Sequence, residues 1–330
     1  MLMTMLPTAA FAADGESTET GDSTTPEAAI YLDQQHGADD KDGLSEATAV
    51  KTIEKANELA NANNINDICL SSFYRVKGAE VWDLGGKTLH RYKLGGYMIE
   101  LADASASLTL SNVVIDGAEY SVDATHAAET DSIIKAANGG MIVLNSGAIL
   151  QNNKAAQFGS GILANNGVKI TMEDGAIIRN NTNSNYELGG GILIGNGSTF
   201  TMNGGEISGN TANGGGGVAI IGSTMVMNGG TISGNSVYST QSGEDGQGSY
   251  GAGVYVADYA NASGGDTLFT GQPASFEMNG GKITGNTALD YGGGVLTFPQ
   301  QSQKITININ NGEISGNKVT KGSGGAVAAF

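Results

Sequence analysis

Polar and apolar residues alternate in short bursts along most of this chain. Thr199-Phe200-Thr201-Met202, Ser275-Phe276-Glu277-Met278 and Lys304-Ile305-Thr306-Ile307-Asn308-Ile309 each keep a period of two. That period puts one set of side chains on each face of an extended strand. The last apolar residue of each burst defines a column: Leu84, Leu110, Leu144, Met172, Met202, Met227, Met278 and Ile309. A second column stands five places later, at Leu89, Ile115, Ile149, Ile177, Ile207, Ile232, Ile283 and Ile314. Neither contains a polar residue. Successive members of the first column lie 26, 34, 28, 30, 25, 51 and 31 residues apart. A fixed floor with variable excess describes a rigid repeat carrying loops of different length.

Each repeat predicts three short strands. The first ends at the first column, and the second carries the Ile of Glu-Ile-Ser, Thr-Ile-Ser or Lys-Ile-Thr. The third follows a run of glycines, as in Gly217-Val218-Ala219-Ile220 and Gly253-Val254-Tyr255-Val256. Three strands and three tight corners fit the shortest repeat and describe the turn of a parallel β-helix, an all-β fold of about eight turns here. Gly and Asn occupy the bends because both accept positive φ at low steric cost. An Asn three places after the second column recurs at Asn152, Asn180, Asn210, Asn235, Asn286 and Asn317. Stacked at about 4.8 Å, these amides predict a hydrogen-bonded ladder with a structural role.

These repeats resemble the right-handed parallel β-helix proteins of the pectin lyase-like superfamily, in the glycine- and asparagine-rich form found on exported bacterial proteins. The resemblance covers residues 80–330. Upstream, Tyr31-Leu32-Asp33, Gly37-Ala38-Asp39-Asp40-Lys41-Asp42-Gly43 and Thr48–Ala56 resemble the capping segment of that superfamily, a strand, a polar loop and a short helix. The superfamily holds lyases, hydrolases, adhesins and binding proteins, so the resemblance implies a fold more than a chemistry. A cap over residues 30–79 also follows from the residues. Ala49, Ile53, Ala56 and Ala60 share one helical face, with Ser45 or Thr48 as the N-cap. Asp39, Asp40 and Asp42 ahead of Gly43 are either a cluster of oxygen ligands suited to Ca²⁺ or a solvated turn.

Composition narrows the partners. Lys and Arg number 16 against 33 Asp and Glu, a net charge of −17, which disfavours nucleic acid. No apolar run approaches the roughly 18 residues of a membrane span. Cys69 is the sole cysteine, so no intrachain disulfide is expected. The opening MLMTMLPTAAFA ends in Ala10-Phe11-Ala12, an A-x-A cleavage pattern without a basic start. Residues 1–12 therefore read as a truncated signal peptide and the protein as secreted or on the cell surface. Residues 13–29 are acidic and Ser/Thr-rich and read as a disordered linker. At the other end, Gly322–Phe330 begins a further glycine strand without a closing cap, as expected of a fragment.

Function is expected where the repeat is interrupted. The outward column of the glycine strands, Leu163, Leu193, Ala219, Tyr255 and Leu296, is unusually apolar, and no column shows carboxylates converging with a basic residue. By the same resemblance, a lyase implies acidic Ca²⁺ ligands with an Arg or Lys base, and a hydrolase facing carboxylates; the Asn-Thr-Asp, Asp-Asp and Gly-His-Gly signatures of polygalacturonase relatives are missing from the repeats. The longest repeat places two loops, 237–250 and 257–273, on either side of Val254-Tyr255-Val256. Tyr238, Tyr250, Tyr255 and Tyr259 supply faces on which sugars stack, and Glu244, Asp245, Asp258 and Asp266 supply acceptors. The loops either bind a glycan or fold down to cover the apolar column. The expected function is a binding or adhesive module for carbohydrate, with a polysaccharide lyase or glycoside hydrolase at the same loops as the alternative. A third insertion, 117–131, holds Glu119, Asp123, His126 and Glu129, and reads as solvated rather than metal-binding.

Overall fold

The computed structural model describes residues 28–120, 130–184, 187–238, 250–258, 260–261, 269–299 and 304–329. The fold is a parallel β-helix. A complete coil runs through Thr199–Met202, Glu206–Ser208, Thr211–Ala212 and Val218–Ile221. Each segment pairs in parallel with its counterpart in the next coil. The two-residue segment after the ladder Asn is a fourth strand beyond the three that the repeat predicts.

The coils build parallel sheets of sixteen, nine and six strands. The strands before and after the N-G-G corner belong to one sheet, because Ala79–Arg91 and Ser107–Glu119 run unbroken through that corner. The glycine strands form the nine-stranded sheet, from Tyr74–Val76 to Val327–Ala329. Glycine is required where they begin: a Cβ on Gly217 would sit 2.6 Å from the carbonyl oxygen of Gly253 in the next coil.

The first column is buried as expected from Leu84 to Met278, whereas Ile309 in the last coil is 45% exposed. The second column needs a correction in two coils. Leu150 and Ile178 point inward and are fully buried, while Ile149 and Ile177 pair with each other on the outer face. The corners Asn145–Gly147 and Glu173–Gly175 precede an additional residue, Ala148 or Ala176, so the inward position comes six residues after Leu144 and Met172 rather than five.

The same slip moves the ladder. It runs through Asn153, Asn181, Asn210, Asn235, Asn286 and Asn317, not through Asn152 and Asn180. Between Asn181 and Asn317, each Oδ1 accepts the backbone N–H and the Nδ2 of the Asn one coil earlier, at 2.8–3.1 Å. The second Nδ2 hydrogen goes to a backbone carbonyl, such as that of Ile178 for Asn210 at 3.0 Å. These buried amides are therefore satisfied. Fully buried Arg91 closes the near end, with Nη2 donating to Asn153 Oδ1 at 3.2 Å. Burial lowers its pKa to about 10.

At the N-terminal end, Ala29–Leu32 pairs with Asp67–Leu70, which pairs with Thr88–Arg91. The helix Ile53–Asn63, the only α-helix among the described residues, buries Ile53, Ala56 and Ala60 in the core of the coil. Its N-cap is Thr52, whose side chain accepts from the Lys55 N–H, whereas Ser45 and Thr48 close a preceding 3₁₀ turn, Glu46–Thr48. Ala49 is buried ahead of the helix. The helix is too short to cross a membrane, as no described helix is long and apolar enough to do so.

Candidate functional site

The outer face of the nine-stranded sheet carries a second apolar layer. Leu163, Leu193, Ala219, Tyr255, Leu296 and Ala328 lie in register up the coil. Leu193, Ala219 and Leu296 are fully buried, together with Phe269, Ala257 and Ile221. What read as an apolar solvent face is thus covered.

Beside that column runs a row formed by the residues just ahead of the glycine strands. Leu188, Gly214, Tyr250, Tyr291 and Ser323 bridge in parallel from coil to coil. The Tyr250 and Tyr291 rings lie 6.4 Å apart with planes 12° from parallel, and Phe298 stacks on Tyr250 at 5.3 Å and 24°. All three are half-buried. Tyr255 backs Tyr250 at 6.2 Å and 19°.

Of the eight residues singled out from the sequence, four are described. Tyr250 and Tyr255 come together as a stack, but Tyr255 is only 3% exposed and is part of the packed layer. Asp258 is fully buried at the end of the strand Val254–Ala257. Tyr238 follows Ser236–Val237; its hydroxyl donates to the Asn183 carbonyl, and its own carbonyl accepts from Asn213 Nδ2 at 3.3 Å. Glu244, Asp245, Tyr259 and Asp266 lie outside the described residues, as do Asp123, His126 and Glu129. Glu119 binds the Lys93 backbone N–H at 2.7 Å.

Tyr291 and Phe298 were missed. A signal existed: Phe158-Gly159, Leu188-Gly189, Tyr250-Gly251 and Tyr291-Gly292 each place a large residue before a glycine of positive φ. Glu187, one residue before Leu188, is a further member of this edge. Burial pushes its carboxyl up to about 7.

The polar loop of the cap is organised by its own backbone. Asp39 Oδ1 accepts from the N–H groups of Lys51 and Thr52 at 2.8 and 3.0 Å, and Asp42 Oδ1 from Leu44 at 3.1 Å. Among the described residues no three His, Cys, Asp or Glu side chains group as metal ligands do. Burial and nearby Asp67 raise the Cys69 thiol to about 12, which leaves it protonated and unreactive.

No model of a known protein family matches the chain, and neither curated proteins nor solved structures yield a match.

Proposed function

We infer that this chain is an exported or cell-surface β-helix of the pectin lyase-like kind that serves as a binding or adhesive module for carbohydrate. The observation that carries this reading is the row of half-buried, nearly parallel rings of Tyr250, Tyr291 and Phe298 on a rigid sheet. Such rings present flat, amphipathic area at little conformational cost, which suits the apolar face of a sugar. Tyr255 acts behind them as a support for Tyr250 rather than as a contact. The net charge of −17 favours neutral over acidic glycans. Export rests on the A-x-A pattern at residues 10–12.

A glycan array with wild-type protein and the Tyr291→Ala variant tests this. Binding of neutral glycans that falls at least about tenfold in the variant, at a temperature where its circular dichroism spectrum is that of wild type, is expected for a lost stacking face. Equal binding by both proteins, or none by either, excludes the aromatic row as the site.

Glu187 favours a second reading, a carbohydrate-active enzyme at the same edge. A carboxyl that holds its proton to about pH 7 suits a general acid. Cleavage of a polysaccharide that disappears in Glu187→Gln would replace the binding reading.

A further inference from the structure

Asn-Gly occurs eight times in this chain, three of them at the N-G-G corner of successive coils, as Asn203-Gly204, Asn228-Gly229 and Asn279-Gly280. At those three corners both halves of the dipeptide are engaged elsewhere. The side chains form an outer ladder: Asn228 Nδ2 donates to Asn203 Oδ1 at 3.0 Å, Asn279 Nδ2 to Asn228 Oδ1 at 3.1 Å, and Asn203 Nδ2 to Glu173 Oε1 at 2.9 Å. The N–H groups of Gly204, Gly229 and Gly280 donate to the carbonyls of Met172, Met202 and Met227 in the preceding coil, at 3.4, 3.3 and 3.3 Å.

The next corner shifts the dipeptide by one place. Asn310 takes the ladder position, with Nδ2 donating to Asn279 Oδ1 at 2.8 Å. Asn311 takes the place of Gly280, and its N–H donates to the Met278 carbonyl at 3.2 Å. Its side chain is exposed, and the Gly312 N–H donates to its Oδ1 at 2.8 Å. That contact sets Cγ of Asn311 beside the Gly312 nitrogen, the approach that closes a five-membered ring. The remaining pairs differ. Asn166 Nδ2 and Asn213 Nδ2 donate to the Ala137 and Tyr238 carbonyls at 2.8 and 3.3 Å, and the Gly197 N–H donates to the Gly222 carbonyl at 2.8 Å. Asn138-Gly139 is an exposed pair without the contact seen at 311 among the described residues.

We propose that Asn311 is a modification site, the corner asparagine that the fold primes for spontaneous deamidation. The Gly312 nitrogen gives up its proton to solvent and attacks Asn311 Cγ. The N–Cγ bond forms, the Cγ–Nδ2 bond breaks, and ammonia leaves with a proton taken from water. Water then opens the succinimide at either carbonyl, leaving aspartate or isoaspartate. Either product adds one negative charge to a chain already at −17. Isoaspartate also lengthens the main chain between Asn310 and Glu313, whose N–H groups bind the preceding coil at 2.8 and 3.0 Å. The site does not depend on the reading of the aromatic row.

Incubating the full chain at mildly alkaline pH and mapping its peptides by mass spectrometry tests the site. Asn311 is expected to convert at least about tenfold faster than Asn203, Asn228 and Asn279, because its reacting atoms are already juxtaposed. The rate rises with pH, since the nitrogen attacks as its anion. In guanidinium chloride the four converge, because the contacts that distinguish them are gone. Asn311→Gly carries the residue found at 204, 229 and 280, so it folds as wild type does and lacks the early acidic species on ion exchange. Conversion of Asn203, Asn228 or Asn279 in the native chain as fast as Asn311 overturns the proposal. So does a lead of Asn311 that persists undiminished in denaturant, which would assign it to local sequence instead of the fold.

Discussion

Asn152 and Asn153 are adjacent and chemically identical, yet their roles differ completely. Asn152 holds φ at 59°, the left-handed conformation that Gly209, Gly234 and Gly285 adopt at the same place in later coils, at 61–67°. Asn153 is the first rung of the buried ladder. Asn152→Gly therefore changes stability little, because relief of the Cβ penalty offsets the loss of the exposed hydrogen bond from Asn152 Nδ2 to Asp116 Oδ2 at 2.8 Å. Asn235→Leu, in contrast, removes the acceptor of two Asn210 donors and the donor to the Ile207 carbonyl, all inside the coil. It is expected to cost on the order of 3 kcal/mol, read as a shift of the denaturation midpoint. If Asn152→Gly proves the more damaging of the two, the assignment of the ladder is wrong. The repeat made the ladder legible but not its register. In an Asn-Asn pair either residue fits a ladder, and the choice depends on one extra corner residue, which the spacing of Met202 to Ile207 does not reveal for Leu144 to Leu150.

At the scale of the strand, the glycine run acts mainly through what it leaves out. The Cβ of an alanine at 217 would approach the Gly253 carbonyl oxygen to 2.6 Å and the Ile232 methyl to 2.9 Å. Both atoms belong to packed neighbours, so relief requires the coils to separate. Gly217→Ala should destabilise by about 2 kcal/mol, seen as a lower melting temperature with an unchanged circular dichroism spectrum. A melting temperature at or above wild type would show that the stack yields at that point. The glycine strand itself was plain from the sequence, and so was the oddity of its apolar outer column. Its cover was not. The aromatic residues packed with Leu193 and Tyr255 come from separate coils: Phe158 meets Phe269, several coils on, edge-on at 5.4 Å, and Tyr250 meets Phe298 of the neighbouring coil. Phe158 and Tyr250 share the pattern of a large residue before a positive-φ glycine, but Phe269 and Phe298 stand outside it, so no single period relates all four.

For the coil as a whole, stability in a solenoid is a sum over neighbouring turns, and the described turns are not packed alike. The helix Ile53–Asn63 packs Ile53, Ala56 and Ala60 over the near end of the core. At the far end Ile305, Ile307 and Ile314 are only half-buried, and Ile309 and Val327 are 45% and 43% exposed. Hydrogen bonding does not distinguish this last coil. The N–H groups of Asn310, Glu313 and Lys318 donate to the preceding coil at 2.8, 3.0 and 2.8 Å. Their counterparts Asn228, Thr231 and Ser236 in the middle do so at 2.8, 2.9 and 2.9 Å. The two sets differ in packing alone, since Met227 and Ile232 are fully buried where Ile309 and Ile314 are not. In the chain of residues 1–330, opening the coil at 304–329 breaks one inter-coil interface among the described residues, whereas opening a central coil breaks two. Native-state hydrogen exchange should therefore find Asn310, Glu313 and Lys318 exchanging about a hundredfold or more faster than Asn228, Thr231 and Ser236. That ratio reads one inter-coil interface, its backbone hydrogen bonds and apolar stacking together. Equal protection of the two sets would mean that the whole coil opens as one cooperative unit, and that nearest-neighbour stacking does not govern its stability.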